Sequence, residues 1–227
     1  MAMAQTAISV SAVLKKRFSV RAFRSEPVPP PVLEEIFTLA QQVPSNCNVQ
    51  PCRVYVVSGA KKDQLRDELV GEVMSGKPAY PDFEWDVRFQ GEHRERQFGS
   101  ANALYGAMGI ERADKQRRQI AMLRNWGFFD APHAAFFTMS KYLKLIGAVD
   151  LGIYAQTLSL LMAERGISNC MQGALGMFPG PARRMFGLAE DAGILFGMSF
   201  GYADEEAPAN KARTDRVGLD SAVRFVS

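Results

Sequence analysis

Arg17-Phe18-Ser19-Val20-Arg21 and Pro44-Ser45-Asn46-Cys47-Asn48-Val49-Gln50-Pro51 are the stretches that organise this chain. Run as an extended strand, the first projects Arg17, Ser19 and Arg21 from one face, because side chains alternate with a period of two. Two forked, permanently charged guanidiniums with a short hydroxyl between them suit a phosphate. A solvated basic segment after a helix reads the same way when taken alone. The second stretch is a polar, turn-forming cluster whose amides can read the edge of a planar heterocycle. Together they point to a phosphate-bearing ring cofactor.

Outward from these anchors, Ala7 to Lys16 reads as a short helix feeding the arginine segment. Pro27, Pro29, Pro30 and Pro31 stop the chain and restart it, since proline is accepted in a first helical turn. Leu33, Ile36, Leu39 and Ala40 recur at helical spacing in an amphipathic helix from Val32 to Val43. Arg53 to Val57 is a β-branched and aromatic run, the first strand. Lys61 to Val73 is a helix with Leu65, Leu69 and Val73 on one face.

From about 75 to 130 the pattern is irregular, with Pro78, Pro81 and scattered aromatics that include Trp85 and Phe98. A structureless loop of that length is uncommon, so this is read as an inserted lid, helical over Ala101 to Ile110 and Ile110 to Trp126. A decorative surface insertion is the alternative. His133 to Thr138 is a second strand. Leu145 to Arg165 is a long helix, apolar on nearly all sides and therefore expected to be packed by several neighbours. Gly166 caps it. Ser168 to Leu175 reads as a turn in which Gly173 lets a ligand approach the backbone. Pro179 to Phe186 is a short helix, Ile194 to Tyr202 a third strand, and Leu219 to Val226 an apolar tail. The order gives one α+β domain over 1–227, built around a small sheet.

The 227 residues are 47% hydrophobic and 22% charged, with a net charge of +3. That is ordinary for a globular core and too weakly basic to imply nucleic acid. The basic run Arg112 to Arg118 is diluted by Glu111 and Asp114, as on a solvated helix face. Cys47 and Cys52 are spaced like half a zinc site, but Cys170 stands alone and no second pair completes one. Three cysteines and no recognisable signal segment favour a cytoplasmic protein. Asp150 and Gln156 interrupt the long apolar helix, so a buried helix is expected rather than a membrane span.

Gly197-Met198-Ser199-Phe200-Gly201 matches the G-x-S-x-G of hydrolase nucleophile elbows. It sits inside a strand, however, and His93 and His133 both precede it, against the order that mechanism requires. No G-x-G-x-x-G follows a strand and no Walker-type lysine loop occurs. A phosphate must therefore be held by side chains. Lys211 and Arg213 offer further cations, although alone they read as a surface pair.

Taken in order, R-x-S-x-R at Arg17 to Arg21, P-S-x-x-N-x-Q-P at Pro44 to Pro51, the turn at Gln172-Gly173 and K-x-R at Lys211 to Arg213 resemble the FMN-dependent nitroreductase family. Tyr105, Gly109-Ile110, Asn125 to Pro132 and the later C-M-Q-G-A-L resemble its nitrobenzoate and nitroaromatic reductase branch. The resemblance implies a mostly antiparallel sheet flanked by helices, in an intertwined homodimer whose extended C-terminal tails wrap the partner. It implies NADPH or NADH as reductant and a nitroaromatic or quinone-like acceptor, reduced by ping-pong hydride transfer without a catalytic side chain.

By the same resemblance Arg17, Ser19 and Arg213 bind the FMN phosphate, and Arg21 and Lys211 supply charge along the ribityl and pyrimidine side. Ser45, Asn48 and Gln50 reach the flavin from the other subunit, and the Gln172-Gly173 backbone approaches its N5 edge. Phe18, Val20, Pro44, Asn46 and Ala174 complete the expected cofactor contacts. Tyr105, Phe128 and Phe129 are candidates to stack on the acceptor. Cys52 stands where the family often has an aromatic residue. The same fold also serves reductive dehalogenation, enone reduction, flavin fragmentation and flavin binding without turnover.

Overall fold

The computed structural model describes residues 9–84 and 87–226. Trp85 and the Ala7 start of the expected first helix lie outside the described residues. One antiparallel sheet holds β1 (Arg53–Ser58), β2 (His133–Ser140), β3 (Ser168–Gln172) and β4 (Ala192–Gly201), in the spatial order β1-β2-β4-β3. The chain matches the expected class, helices against a small antiparallel sheet.

One strand corrects the sequence reading. Ser168 to Gln172, read as part of a turn, is β3, paired with β4 from Ser168↔Gly201 to Gln172↔Gly197. It has no β-branched or aromatic residue, so propensity is silent there and cross-strand pairing decides. β2 shows the opposite case. Ala134 and Phe136 point into one cluster, while Ala135, Phe137 and Met139 point into another. A strand covered on both faces reads as a continuous apolar run for that reason.

On one face α2 (Pro30–Ala40) and α6 (Lys144–Glu164) bring Ile36, Ala40, Leu151, Leu158 and Met162 onto Phe137, Met198 and Phe200. α2 stops at Ala40 rather than Val43, because Gln41 and Gln42 close it as a turn. On the other face α3 (Gly59–Met74) and α7 (Gly180–Phe186) bring Leu65, Leu69 and Ala182 onto Phe128, Phe136 and Ile194.

α6 is long and apolar enough to cross a membrane by composition. Here it is a core helix, with Leu151, Ala155, Leu158 and Met162 wholly buried over the sheet. Its expected all-round packing is not what the chain provides. Leu145, Ile146 and Val149 are 76%, 54% and 56% exposed, so one apolar face has no cover from the described residues.

The 75–130 segment is tied down at its root. Asp82 accepts from Arg183 at 3.1 Å and from the Ile194 amide at 3.0 Å, and pairs with Lys141 at 3.1 Å. Beyond it, α4 (Gly91–Ala107) and α5 (Lys115–Leu123) replace the helices expected at Ala101 to Ile110 and Ile110 to Trp126. Residues 91–100 of α4 are exposed on all sides, and its contact with the body is made to the turn Pro208–Lys211. The remaining helices are short: α1 (Val10–Lys16), capped by the Ser9 hydroxyl, and α8 (Leu219–Ala222) in an exposed C-terminal stretch.

Candidate functional site

After α1 the chain runs extended, as its alternation predicts. Ser19 bridges Asn169 of β3 and Phe23 bridges Ala203 just beyond β4, with the Val20 amide donating to the Asn169 carbonyl at 3.1 Å and the Arg24 amide to the Tyr202 carbonyl at 2.9 Å. The alternation divides the side chains. Val20 is buried against Phe129 and Cys170, while Arg17, Ser19 and Arg21 line one cavity of about 500 Å³. Val20 can therefore meet a cofactor only through its backbone.

Arg213, distant in sequence, lines the same cavity. Its guanidinium lies 3.7 Å from the Phe18 ring centroid and donates to the Asn210 carbonyl at 2.7 Å. Asn210 joins the two segments. It is 3% exposed; its side-chain oxygen accepts from the Arg21 amide at 2.7 Å, and its amide group donates to the Ala22 and Asp204 carbonyls at 2.8 and 2.7 Å. Sequence reasoning missed it, since an asparagine in a polar loop carries no signal of burial.

The cavity's charge is one-sided. Lys15, Lys16 and Arg216 line it with Arg17, Arg21 and Arg213, and among the described residues no carboxylate does. Among the described residues Arg17, Arg21 and Arg213 form no ion pair. Cations brought together without compensating carboxylates repel one another, an arrangement that favours a bound anion. The donor set and the cavity size fit a flavin mononucleotide's phosphate and the chain attached to it. Lys211 is the exception among the expected cations. It lines the adjoining cavity instead and stands 3.9 Å from Glu206.

The polar reader lies elsewhere in the chain. Asn46 to Asn48 form a single tight turn, and Cys47, Asn48 and Gln50 have φ of 47°, 57° and 46°. These left-handed conformations strain a non-glycine residue. The Asp150 carboxylate of α6 holds the turn by accepting from the Asn46 amide at 3.1 Å, and Ser45 Oγ accepts from the Gln50 amide at 2.9 Å. Asn46, Asn48 and Gln50 are exposed, while Pro44, Ser45 and Gln50 border a small hollow with Cys52 and Tyr154. Among the described residues none lines both this hollow and the arginine cavity.

At the end of β3 the Gln172 side chain is buried and bonded at both its nitrogen and its oxygen. It donates to the Asn125 carbonyl at 2.8 Å and accepts from Ser199 Oγ. Gly173 is exposed beside it, and the Ala174 carbonyl accepts from Trp126 Nε1 at 3.0 Å. Ser199, the serine of G-x-S-x-G, is therefore a buried brace of this turn and no nucleophile.

Phe128 and Phe129 correct the acceptor assignment. They are 0% and 4% exposed and pack into two different clusters. Phe128, Phe129 and Asp130 all have positive φ, from 52° to 66°, and this left-handed turn is what sends both rings inward. Tyr105 is half-buried, with the Arg118 guanidinium 4.2 Å from its ring centroid.

Cys52 and Cys170 are both disfavoured as thiolates. Burial pushes Cys52 up to about 12, against the lesser pull of Arg53. Burial also raises Cys170, although Arg21, Ser19 and Arg17 oppose it. His133 is held down to about 4, chiefly by burial and then by the Lys62 charge. Its Nε2 accepts from the Val28 amide at 2.8 Å, which leaves the Nδ1 proton for Ser58 Oγ. In that tautomer His133 cannot take a proton from Ser58, so the pair is structural.

Comparison with known proteins finds nitroreductases. The profile described as the nitroreductase family matches residues 14–202. A nitroreductase NfnB of Mycolicibacterium smegmatis is 38% identical over 214 residues, covering 94% of this chain and 91% of its own. A 4-nitrobenzoate reductase of Pseudomonas putida is 33% identical over 215 residues, covering 95% and 94%. Among solved structures, the FMN and NADPH-dependent nitroreductase NfnB of Sphigopyxis sp. strain HMH superposes with a TM-score of 0.93 at 33% identity, covering 97% of this chain and 100% of that one. The FMN-dependent NfnB of Mycobacterium smegmatis in complex with NADPH gives 0.91 at 38%, covering 96% and 97%.

Proposed function

The chain belongs to the nitroreductase family, and from that premise we propose that it is an FMN-dependent oxidoreductase. It takes hydride from NADPH or NADH and reduces nitroaromatic or quinone-like acceptors in a ping-pong cycle, as a cytoplasmic homodimer. The observation that carries the reading is the trio Arg17, Ser19 and Arg21 on one extended face, closed by Arg213 around a cavity that no carboxylate lines among the described residues.

When bound, FMN supplies the hydride chemistry, and the protein's part is to bind, orient and tune. Arg17, Ser19 and Arg213 hold the phosphate, and Phe18 fixes the Arg213 guanidinium by stacking under it. Arg21, whose amide is pinned by Asn210, would add positive charge beside the bound cofactor, an electrostatic effect needing no catalytic base. Ser199 and Asn125 lock Gln172 so that the exposed Gly173 backbone is presented in one conformation. The Ser45 to Gln50 turn completes the site from a second copy, in keeping with its separation from the arginines of its own chain. The uncovered face of α6 is the surface for that copy, and the exposed tail from Leu219 to Val226 wraps it. The 75–130 segment covers the acceptor side, where Tyr105 is the aromatic in play.

The test is a visible spectrum of the purified protein, followed by anaerobic NADPH. Bound flavin that bleaches and is reoxidised by 4-nitrobenzoate meets the proposal. A protein that stays colourless when FMN is supplied removes it. Arg17→Ala and Arg213→Ala should each weaken FMN binding by about 1.5–3 kcal/mol, and unchanged retention in both would refute the phosphate assignment.

A further inference from the structure

Both ends of the 75–130 segment converge on the loop that follows β3. At the entry the Tyr80 amide donates to the Met177 carbonyl at 3.1 Å. At the exit the Asn125 carbonyl accepts from Gln172 Nε2 at 2.8 Å, and Trp126 Nε1 donates to the Ala174 carbonyl at 3.0 Å. The Phe178 ring meets both ends edge-on, 6.0 Å from the Tyr80 ring and 5.9 Å from that of Trp126. Gly173 is thus an exposed residue between two that the exit holds. The exit itself is a fixed post. Trp126 is 8% exposed, and its amide donates to the Leu123 carbonyl at the end of α5 at 3.0 Å. Close behind it, Phe128, Phe129 and Asp130 carry φ of 56°, 52° and 66°. Non-glycine residues persist in that region only where their surroundings over-determine them. Here two buried rings and the Arg124–Asp130 pair at 3.0 Å do so.

We infer that Trp126 is a positioning residue for the flavin: through the Ala174 carbonyl it sets where the Gly173 backbone meets the ring. The inference rests on the proposed flavin site. Asn125 fixes one side of Gly173 through the Gln172 side chain, and Trp126 fixes the other through the backbone itself. Without the indole bond the turn is free to pivot about Gln172, and the backbone dipoles facing the ring move with it. Such dipoles discriminate between charge states only when they are held in place. The Met177 amide also donates to the Ala174 carbonyl, at 3.1 Å. Losing the indole bond therefore changes the aim of the turn and leaves no carbonyl unpaired.

The experiment is Trp126→Phe, which removes Nε1 and keeps an aromatic ring against Phe178. Three quantities are compared with the wild type: the affinity for oxidised FMN, the midpoint potential of the bound flavin, and the rate at which NADPH reduces it. FMN affinity should stay within about threefold, because no cation of the arginine cavity is touched. The midpoint should move by about 30 mV, a tenfold change in relative affinity for the two flavin states. Flavin reduction should slow about tenfold, the effect of a small misplacement near the reacting atoms. Should Trp126→Phe fail to fold, benzothienylalanine in place of Trp126 keeps the ring's volume and lacks only the N–H. A folded variant with the wild-type potential and reduction rate, even one that melts at a lower temperature, overturns the inference and makes Trp126 a core residue alone. So does FMN affinity weakened about a hundredfold with an unmoved potential, which assigns the residue to binding. Both of these leave the flavin site standing. A wild type that binds no FMN removes the flavin proposal and this inference with it.

Discussion

Asn210 shows how one uncharged side chain can govern a charged site. It is buried, and its three hydrogen bonds fasten the arginine segment to the C-terminal loop that carries Arg213. Asn210→Ala leaves the Arg21 amide without its partner and strips one of two bonds from the Ala22 and Asp204 carbonyls, which should cost about 2 kcal/mol in urea unfolding. FMN binding should weaken with it although every cation remains; wild-type affinity in a folded variant would dissociate Asn210 from the site. His133 makes a pH prediction. An unfolded histidine titrates near 6.5, whereas His133 in the fold is held to about 4, so below pH 6.5 the unfolded chain takes up a proton that the fold refuses. Its contribution, about 3 kcal/mol, is complete above that pH and is lost as pH falls toward 4. Urea midpoints should fall over that window in the wild type and fall less in His133→Asn. Phe128, wholly buried, should behave as core. Phe128→Ala should destabilise by about 3–5 kcal/mol, and a change confined to the acceptor's KM would restore the stacking role that its burial argues against.

Elements differ in how far their residues announce them. β1, β2, β4 and α3 were legible because apolar periodicity and β-branched runs report burial directly, and the arginine segment because its alternation needs only an extended backbone. β3 was not, since Ser168 and Asn169 owe their place to partners: the Asn169 side chain accepts from Ser159 Oγ at 2.9 Å, and its carbonyl receives the Val20 amide. The uncovered face of α6 was equally hidden, because an apolar helix reads the same whether its neighbour belongs to its own chain or to another. The turn after β3 offers a test of how firmly β4 fixes it. A Cβ on Gly176 would lie 2.5 Å from the Leu195 carbonyl oxygen of β4, an atom with no freedom to retreat. Gly176→Ala should therefore push the Gly173–Gly176 turn off the sheet, costing about 1–3 kcal/mol. Flavin-free and flavin-loaded melting curves of the variant would separate lost stability from lost binding.

The assembled molecule puts both unfinished features on α6. Gln156 on this helix lines the arginine cavity, Asp150 anchors the Ser45 to Gln50 turn, and Leu145, Ile146 and Val149 form the uncovered face between chain and solvent. An apolar face of this kind is costly to leave in water, and a twofold copy pressed against it is the symmetric arrangement that closes without further growth. On the proposed reading the flavin site and the dimer are one structure, with the polar turn of one copy meeting the arginines of the other. A charge placed on that face separates the alternatives. Val149→Glu replaces no residue that lines either cavity, although it neighbours Asp150 in sequence, and a carboxylate buried at the interface without a partner is strongly unfavourable. Sedimentation should show a wild-type dimer and a Val149→Glu monomer, and the monomer should lose FMN despite keeping Arg17, Ser19, Arg21 and Arg213. A folded monomer that holds FMN as tightly as the wild type would mean that a single chain completes its own site.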